Sequence, residues 1–309
     1  MKGLSTVALA LLLSAPWPGA GEVRSGLPSV IVVASVGVEA HRAAVEGIQA
    51  ALAMTATPVR VLDLTEARSE QKSGTALAAP GVRAIIAVGS EALEIVTAGH
   101  PIVPVICTMV LHHAAEKDFS LAGAAATVSL DIPIEEMIAR LKKIFPQKTR
   151  LGIIRNASSG NCTPTQLQAR AQPLGFVVRV VDAASPEQLL PALVSLKGQV
   201  DLVWCMPDGT LYNSVTIKPL ILASLENRLP LIGFSESFAR AGAALGVYPD
   251  FHDIGLETGE VARQIMDNQP VRGPVGPRKL KLAVNQSVLR LIGIRYPAEG
   301  GGEEMSILR

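Results

Sequence analysis

The chain has 309 residues, 49% of them hydrophobic and only 4% aromatic, with 28 basic against 27 acidic side chains and a formal net charge of +1. That length suggests two domains of ordinary size with cores of Ala, Val, Leu and Ile. The even charge excludes the electrostatic footprint of a nucleic-acid or anionic-membrane binder, and three cysteines without CxxC spacing exclude a disulfide framework or a zinc knuckle.

Taken in order, residues 1–20 carry Lys2, an apolar run over 4–13 and a small-residue exit at 14–20, the layout of a secretory signal. The run is short for a bilayer span. No cysteine follows it, so the expectation is an exported, soluble, periplasmic protein without a lipid anchor. From residue 29 the pattern becomes regular. Strands are expected at 30–34, 59–64, 82–88 and 103–107, with helices at 39–54 and 90–98 between them. After His112-His113 and a polar stretch, a strand at 122–128 and a helix at 134–145 follow, the latter opened by Pro133, whose missing N–H costs nothing at a helix start. A second α/β half begins with a strand at 150–155, a helix near 165–174 and a strand at 176–181. Between 201 and 250 three strand-then-polar-tip units follow one another, with a helix expected over 211–228 from apolar residues at three- and four-residue steps.

Strands joined through helices imply parallel pairing, and ligands of such sheets bind at the carboxyl ends of the strands. The candidate contacts are therefore polar residues at strand tips. In the first half they are Ser35, Ser90 and Thr108. Ser90 stands where a strand gives way to a helix, so it either holds a ligand carboxylate on the free N–H groups of the first turn or caps the helix. In the second half Asn156 and Ser158 form one tip, Asp208, Ser235, Glu236, Tyr248 and Asp250 are expected to converge on one crevice, and Tyr212 at a helix start could add a ring face or hydroxyl. Asp208 is suited to an ammonium or to hydroxyls, and Asp250 either binds solute or holds a hinge. Cys162 and Cys205 sit near strand tips and either pair or remain isolated buried thiols.

Catalytic and cofactor patterns are weak. His112-His113 lacks metal-ligand spacing, Gly233-Phe234-Ser235-Glu236-Ser237 matches a nucleophile elbow only loosely, and Val88-Gly89-Ser90 has no dinucleotide or P-loop glycine pattern. The reading is of a binding protein, not an enzyme, with no cofactor and no metal.

The succession IRNASSG, FVVRVVDA, DLVWCMPDGT, the stretch from Asn213 through Gly255, and KLKLAVNQSVLRLIGI resembles the ABC-transporter substrate-binding family that includes tryptophan and tyrosine binders. The tip at Cys107-Thr108-Met109-Val110 lacks the aspartate-proline that many relatives carry there. The resemblance implies a type I periplasmic binding protein: α/β, two Rossmann-like lobes with parallel sheets joined by a multi-strand hinge. The first lobe would comprise 27–121 plus 245–276, the second 122–244 plus 277–297, with a flexible tail at 298–309. It further implies a monomer that holds a small polar solute, an amino acid or similar zwitterion, between the lobes and delivers it to an ABC permease at the membrane. Other readings of the same cleft are a sensor that reports occupancy to a membrane receptor and, more remotely, a hydrolase dependent on Ser235.

Overall fold

The computed structural model describes residues 29–73, 80–111, 124–157, 163–271, 275–294 and 305–308. The leader, His112, His113, Ser158 and Cys162 lie outside them. Two sheets organise the described chain. The first has five parallel strands in the order β2-β1-β3-β4-β5: β1 (Ser29–Ala34), β2 (Val59–Asp63), β3 (Val82–Val88), β4 (Val105–Val110) and β5 (Ala124–Ser129). Helices α1 (Glu39–Ala53), α2 (Leu64–Ser73) and α3 (Ser90–Ala98) connect them. Strands buried on both faces read as continuous apolar runs, and VICTMV of β4 is buried at every position.

The second sheet has seven strands in the order β12-β11-β10-β9-β8-β6-β7. These are β6 (Arg150–Arg155), β7 (Val177–Asp182), β8 (Leu202–Cys205), β9 (Leu231–Gly233), β10 (Leu245–Pro249), β11 (Leu280–Asn285) and β12 (Met305–Leu308). Only the β10–β11 pair is antiparallel. The helices of this half are α4 (Ile134–Ile144), α5 (Pro164–Ala171), α6 (Leu189–Ser195), α7 (Ile217–Glu226), α8 (Glu236–Ala241) and α10 (Gln286–Leu291). Two clusters bury the faces of this sheet. Trp204, Ile232 and Val247 point toward α4 and α5, and Val203, Cys205 and Leu231 point toward α6 and α7. This is the period-two alternation of a strand.

Helix α9 (Phe251–Met266) follows the second sheet in sequence but packs on the first, where Ile254, Val261 and Ala262 join Val30, Ile86 and Ile106. Its neighbour is α1, and glycines set their separation. A Cβ on Gly255 would stand 2.0 Å from the Ala44 carbonyl oxygen, and one on Gly47 would stand 2.1 Å from that of His252. Backbone therefore meets backbone, which no larger residue permits.

The chain passes between the sheets three times: after β5, after β10, and between α9 and β11. The passages are tied to one another. Ser129 donates its N–H to the Val275 carbonyl at 2.8 Å, Val275 donates to Thr127 at 3.0 Å, and Asp250 donates to Lys279 at 2.9 Å. The expected boundaries at 121 and 245 thus stand one strand early: β5 completes the first sheet, and β10 belongs to the second. Likewise Met305–Leu308, expected in a flexible tail, pairs in parallel with Leu282–Asn285 of β11. The helix expected over 211–228 is confined to α7, because the polar turn at 208–216 closes on itself through Asn213 and Thr216.

Beside the third passage a carboxylate is buried. Glu257 is 1% exposed. One of its oxygens accepts the Arg278 backbone N–H at 2.7 Å, while Oε2 has no partner among the described residues. Burial pushes its pKa up to about 7, against the pull of the Arg278 N–H and guanidinium and with the added repulsion of Asp253 and Glu260.

Gly255→Ala is expected to lower stability by about 3 kcal/mol, the upper end of overpacking costs, seen as a Tm fall of several degrees in calorimetry. Gly37→Ala, where nothing stands within 4 Å, should leave Tm unchanged. The folded Glu257 value of about 7 lies above the ordinary 4.5, so the native chain keeps a proton that the unfolded chain releases between those values. Its contribution is present in full below about pH 4.5 and lost as pH rises through about 7. Denaturant melts across that window should show stability falling with pH, and Glu257→Gln should flatten the fall.

Candidate functional site

A cavity of about 850 Å³ lies at the carboxyl ends of β8, β9 and β10, against the three passages between the sheets. Trp204, Met206 and Pro207 come from β8 and its tip, Phe234 and Ser235 from the tip of β9, and Val247 and Pro249 from β10. Phe251, at the start of α9, and Val275 close it from the passages, and Thr163, Gln166, Leu167 and Arg170 form a wall along α5. The size suits a small organic solute.

Most polar groups on this lining are engaged with their own neighbours. Thr163 and Gln166 form a capping box: the threonine hydroxyl accepts from the Gln166 N–H at 3.2 Å, and the glutamine oxygen accepts from the Thr163 N–H at 2.7 Å. Arg170 makes a two-pronged pair with Glu135, one bond at 2.8 Å. Burial alone would raise the Glu135 carboxyl, but the Arg170 hydrogen bonds and charge outweigh it and hold it below the usual range. Asp131 accepts the Ser129 hydroxyl at 3.0 Å. Among the described residues, Asp131 and Arg170 are the charged side chains of the lining.

Of the strand-tip candidates, Ser235 lines the cavity. Its hydroxyl caps α8 by accepting from the Phe238 N–H at 3.1 Å and lies 3.0 Å from the Ser237 hydroxyl. Among the described residues no imidazole or carboxylate is hydrogen-bonded to it, so the constellation expected of a nucleophile elbow is not assembled there. Asp208 is 9% exposed and sits outside the lining. Its Oδ1 accepts the backbone N–H groups of Thr210 and Leu211, each at 2.9 Å, which is turn chemistry. Asp250 caps α9, accepting from His252 at 3.0 Å and Asp253 at 3.3 Å, and faces Lys281 at 3.4 Å. It therefore holds a hinge passage. Glu236 pairs with Arg240 one turn on and accepts the Tyr248 hydroxyl at 3.1 Å; burial and that hydrogen bond push the Tyr248 phenol up to about 12.

Two candidates are corrected outright. Tyr212 is a core residue: its ring packs edge-on against Phe234 and Phe238, and its hydroxyl donates to the Ile154 carbonyl at 3.2 Å. Thr108 is fully buried in the first lobe and hydrogen-bonded to the Thr258 hydroxyl of α9 at 2.9 Å. Both are turned inward because each hydroxyl found a partner there, so neither faces the cavity. The crevice expected from Asp208, Ser235, Glu236, Tyr248 and Asp250 therefore forms around Ser235 with a different, mostly apolar lining.

In the first lobe Ser35 is half-buried at the end of β1 and Ser90 exposed at the start of α3. Gly89, not Ser90, occupies the cap position, at φ 89°, where glycine is favoured. A Cβ there would also stand 2.8 Å from the His41 ring, whose pKa burial lowers. Asn156 is half-buried at the end of β6. Cys107 and Cys205 are free and buried, and burial pushes each thiol up to about 12. Among the described residues no His, Cys, Asp and Glu cluster could hold a metal, and no helix is long and apolar enough to cross a membrane.

The polarity rule missed Trp204, Met206, Phe234 and Phe251. In sequence these residues read as core, and no local signal sets them apart.

Comparison with known proteins agrees with this architecture. The family model of the ABC transporter substrate binding protein matches residues 29–299. A "Tyrosine-binding protein" of Clostridioides difficile (strain R20291) is 21% identical over 220 residues, covering 69% of this chain and 63% of the relative's own length. Among solved structures, a ligand-free, open substrate-binding protein with adhesive properties from Clostridium difficile superposes with a TM-score of 0.65 at 16% identity, over 92% of this chain and 99% of that one. An ABC domain from Streptococcus pneumonia in complex with L-Trp gives 0.58 at 18% identity, over 91% and 100%. The fold is the two-lobed type I periplasmic binding architecture, and with the family model spanning most of its length the chain belongs to the ABC transporter substrate-binding protein family.

Proposed function

We propose that the protein captures a small solute with a sizeable apolar, ring-bearing body in the cavity between its lobes and delivers it to the membrane permease of an ABC importer. The observation that carries the reading is the cavity itself: about 850 Å³, set against the hinge passages and lined by Trp204, Phe234 and Phe251. Aromatic walls give a ring both apolar burial and favourable edge or face contacts. The names of the tyrosine-binding relative and of the L-Trp complex are consistent with an aromatic amino acid as the solute. The work is mechanical: a solute that touches both lobes favours their closed arrangement, and closure about the hinge offers the permease a different surface from the open form. The apolar run at 4–13 supports export to the periplasm, where such a monomer meets its permease. No chemistry on the solute and no cofactor is required.

A thermal-shift panel of amino acids, nucleosides, sugars and small carboxylates tests this. A solute at a hundred times its Kd should add about 2.7 kcal/mol of stability, and the hit should be recovered unaltered; conversion of the hit to product, or silence across the panel, would count against the proposal. Met206→Ala should weaken the hit roughly tenfold through lost apolar contact. Asp208→Ala should leave affinity within about twofold while costing about 1 kcal/mol of stability through two lost turn hydrogen bonds. The opposite ranking in calorimetric titration would move the site to the Asp208 tip.

A further inference from the structure

Glu257 joins two parts of the molecule that bear on the cavity. It stands on α9, which packs on the first sheet, yet the group it holds is the Arg278 backbone N–H, at 2.7 Å, on the segment that returns to β11. That segment also supplies Val275 and Gly276 to the cavity wall, and Val275 is tied in turn to Thr127 and Ser129. One short stretch of backbone is thus both held by a buried carboxyl group and part of the solute space. The hold suits a neutral carboxyl. Glu257 is 1% exposed, and its Oε2 has no partner among the described residues. A neutral carboxyl there forgoes one hydrogen bond, whereas a charged one forgoes most of its hydration. From the return segment the Arg278 guanidinium is engaged with Glu260 at 2.7 Å and comes no nearer to Glu257 than 3.6 Å. Asp253 and Glu260, on the same helix, add repulsion, and Lys279 is paired with Asp253 at 3.1 Å. The other elements meet α9 with uncharged groups near Glu257: α1 with Ala44, Gly47, Ile48 and Ala51, and β4 with the Thr108 hydroxyl. Arg83 of β3 reaches only the far end of the helix, at the Met266 carbonyl. Ionised, Glu257 would be relieved by drawing the Arg278 guanidinium from Glu260 or by admitting water, and either moves the segment that carries Val275 and Gly276.

Resting on the solute-binding reading of this cavity, we infer that Glu257 is a positioning residue for solute capture: its neutral form holds the third passage where Val275 and Gly276 meet the solute, so capture takes up a proton and weakens when Glu257 ionises. The coupling runs both ways, as any linkage between two sites must. A solute packed on Val275 and Gly276 resists the shift that ionisation calls for, and thereby favours the proton on Glu257. Burial already places the loss of that proton near pH 7 in the free chain. Well below that value the free and the solute-bound chain both carry the proton, and affinity is level. As pH rises through it the free chain loses the proton first, and affinity falls.

The first probe is L-tryptophan and, if it does not bind, the solute that most stabilises the full chain in the thermal-shift panel. Calorimetric titration from about pH 6 to about pH 8.5 should show Kd rising about fivefold or more, the low end of ordinary coupling between two sites. Repeated near pH 7 in buffers of different ionisation heat, it should show protons taken up as the solute binds. Glu257→Gln keeps an acceptor for the Arg278 N–H and cannot ionise, so at the higher pH it should bind with the affinity that the parent shows at the lower, and take up no proton. Glu257→Ala leaves that N–H unheld and should bind more weakly than the parent at the lower pH. A level profile in the parent would overturn the inference. So would a pH dependence that survives in Glu257→Gln, which would belong to other groups, His41 and His252 among them. Proton uptake is read on the unaltered chain, so its absence overturns the inference even if both variants fold poorly. In each of these cases the solute still binds and the transport reading stands, whereas silence to every panel solute would remove both.

Discussion

Everything in this molecule depends on three chain passages lying side by side and hydrogen-bonded through their backbones. Val128 and Val275 form a parallel bridge, and Asp250 is tied to Lys279. The bonds join segments that are separate in sequence and tie the passages between the two sheets to one another. A hinge built from backbone rather than from side chains tolerates changes in its residues but not in its spacing. The cavity lies against these passages, with Leu130, Phe251 and Val275 belonging at once to hinge and lining. A solute held there would touch the passages that join the two sheets.

The charged groups near the hinge are arranged by the same geometry. Asp250, Asp253, Glu257 and Glu260 lie along the first turns of α9, facing Arg278, Lys279 and Lys281 on the return strand. Lys279 pairs with Asp253 at 3.1 Å and Arg278 with Glu260 at 2.7 Å. The pairs with exposed partners contribute little individually. Glu257 differs because it is buried and holds the backbone of the returning segment, so its protonation state acts on the passage itself rather than on the surface.

How far the sequence could be read follows from where its information is local. β3, α3 and β6 were legible to the residue because apolar runs bounded by Gly89, Gly99 and Arg150 mark them. The family resemblance and the two-lobed architecture were legible as well. Which sheet receives β5 or β10 was not, because AAATVS and LGVYP fit either one and the choice is made by pairing, of β5 with β4 and of β10 with β9 and β11. Of the candidate contacts, Ser235 lines the cavity. A polar residue at a strand tip has backbone N–H groups within immediate reach, so Asp208, Ser235 and Asp250 spend their oxygens on turns and caps. The residues that face the cavity, Trp204, Met206 and Phe234, look in sequence like any other core residues. Only the tertiary arrangement shows that their face of the sheet adjoins open volume.

The close crossing of α1 and α9 has a consequence for how the protein comes into being. Their glycine contacts join Gly47 to Gly255, so the first lobe cannot close its core until nearly all of the second has been synthesised. A chain halted after β5 would present the groove between α1 and the first sheet, including Ile48 and Leu52, to whatever it met. The first lobe therefore takes the α9 side of its core from a segment that follows the strands of the second sheet up to β10. Closing that core spans a loop of about two hundred residues, whose closure entropy slows the step relative to local contacts.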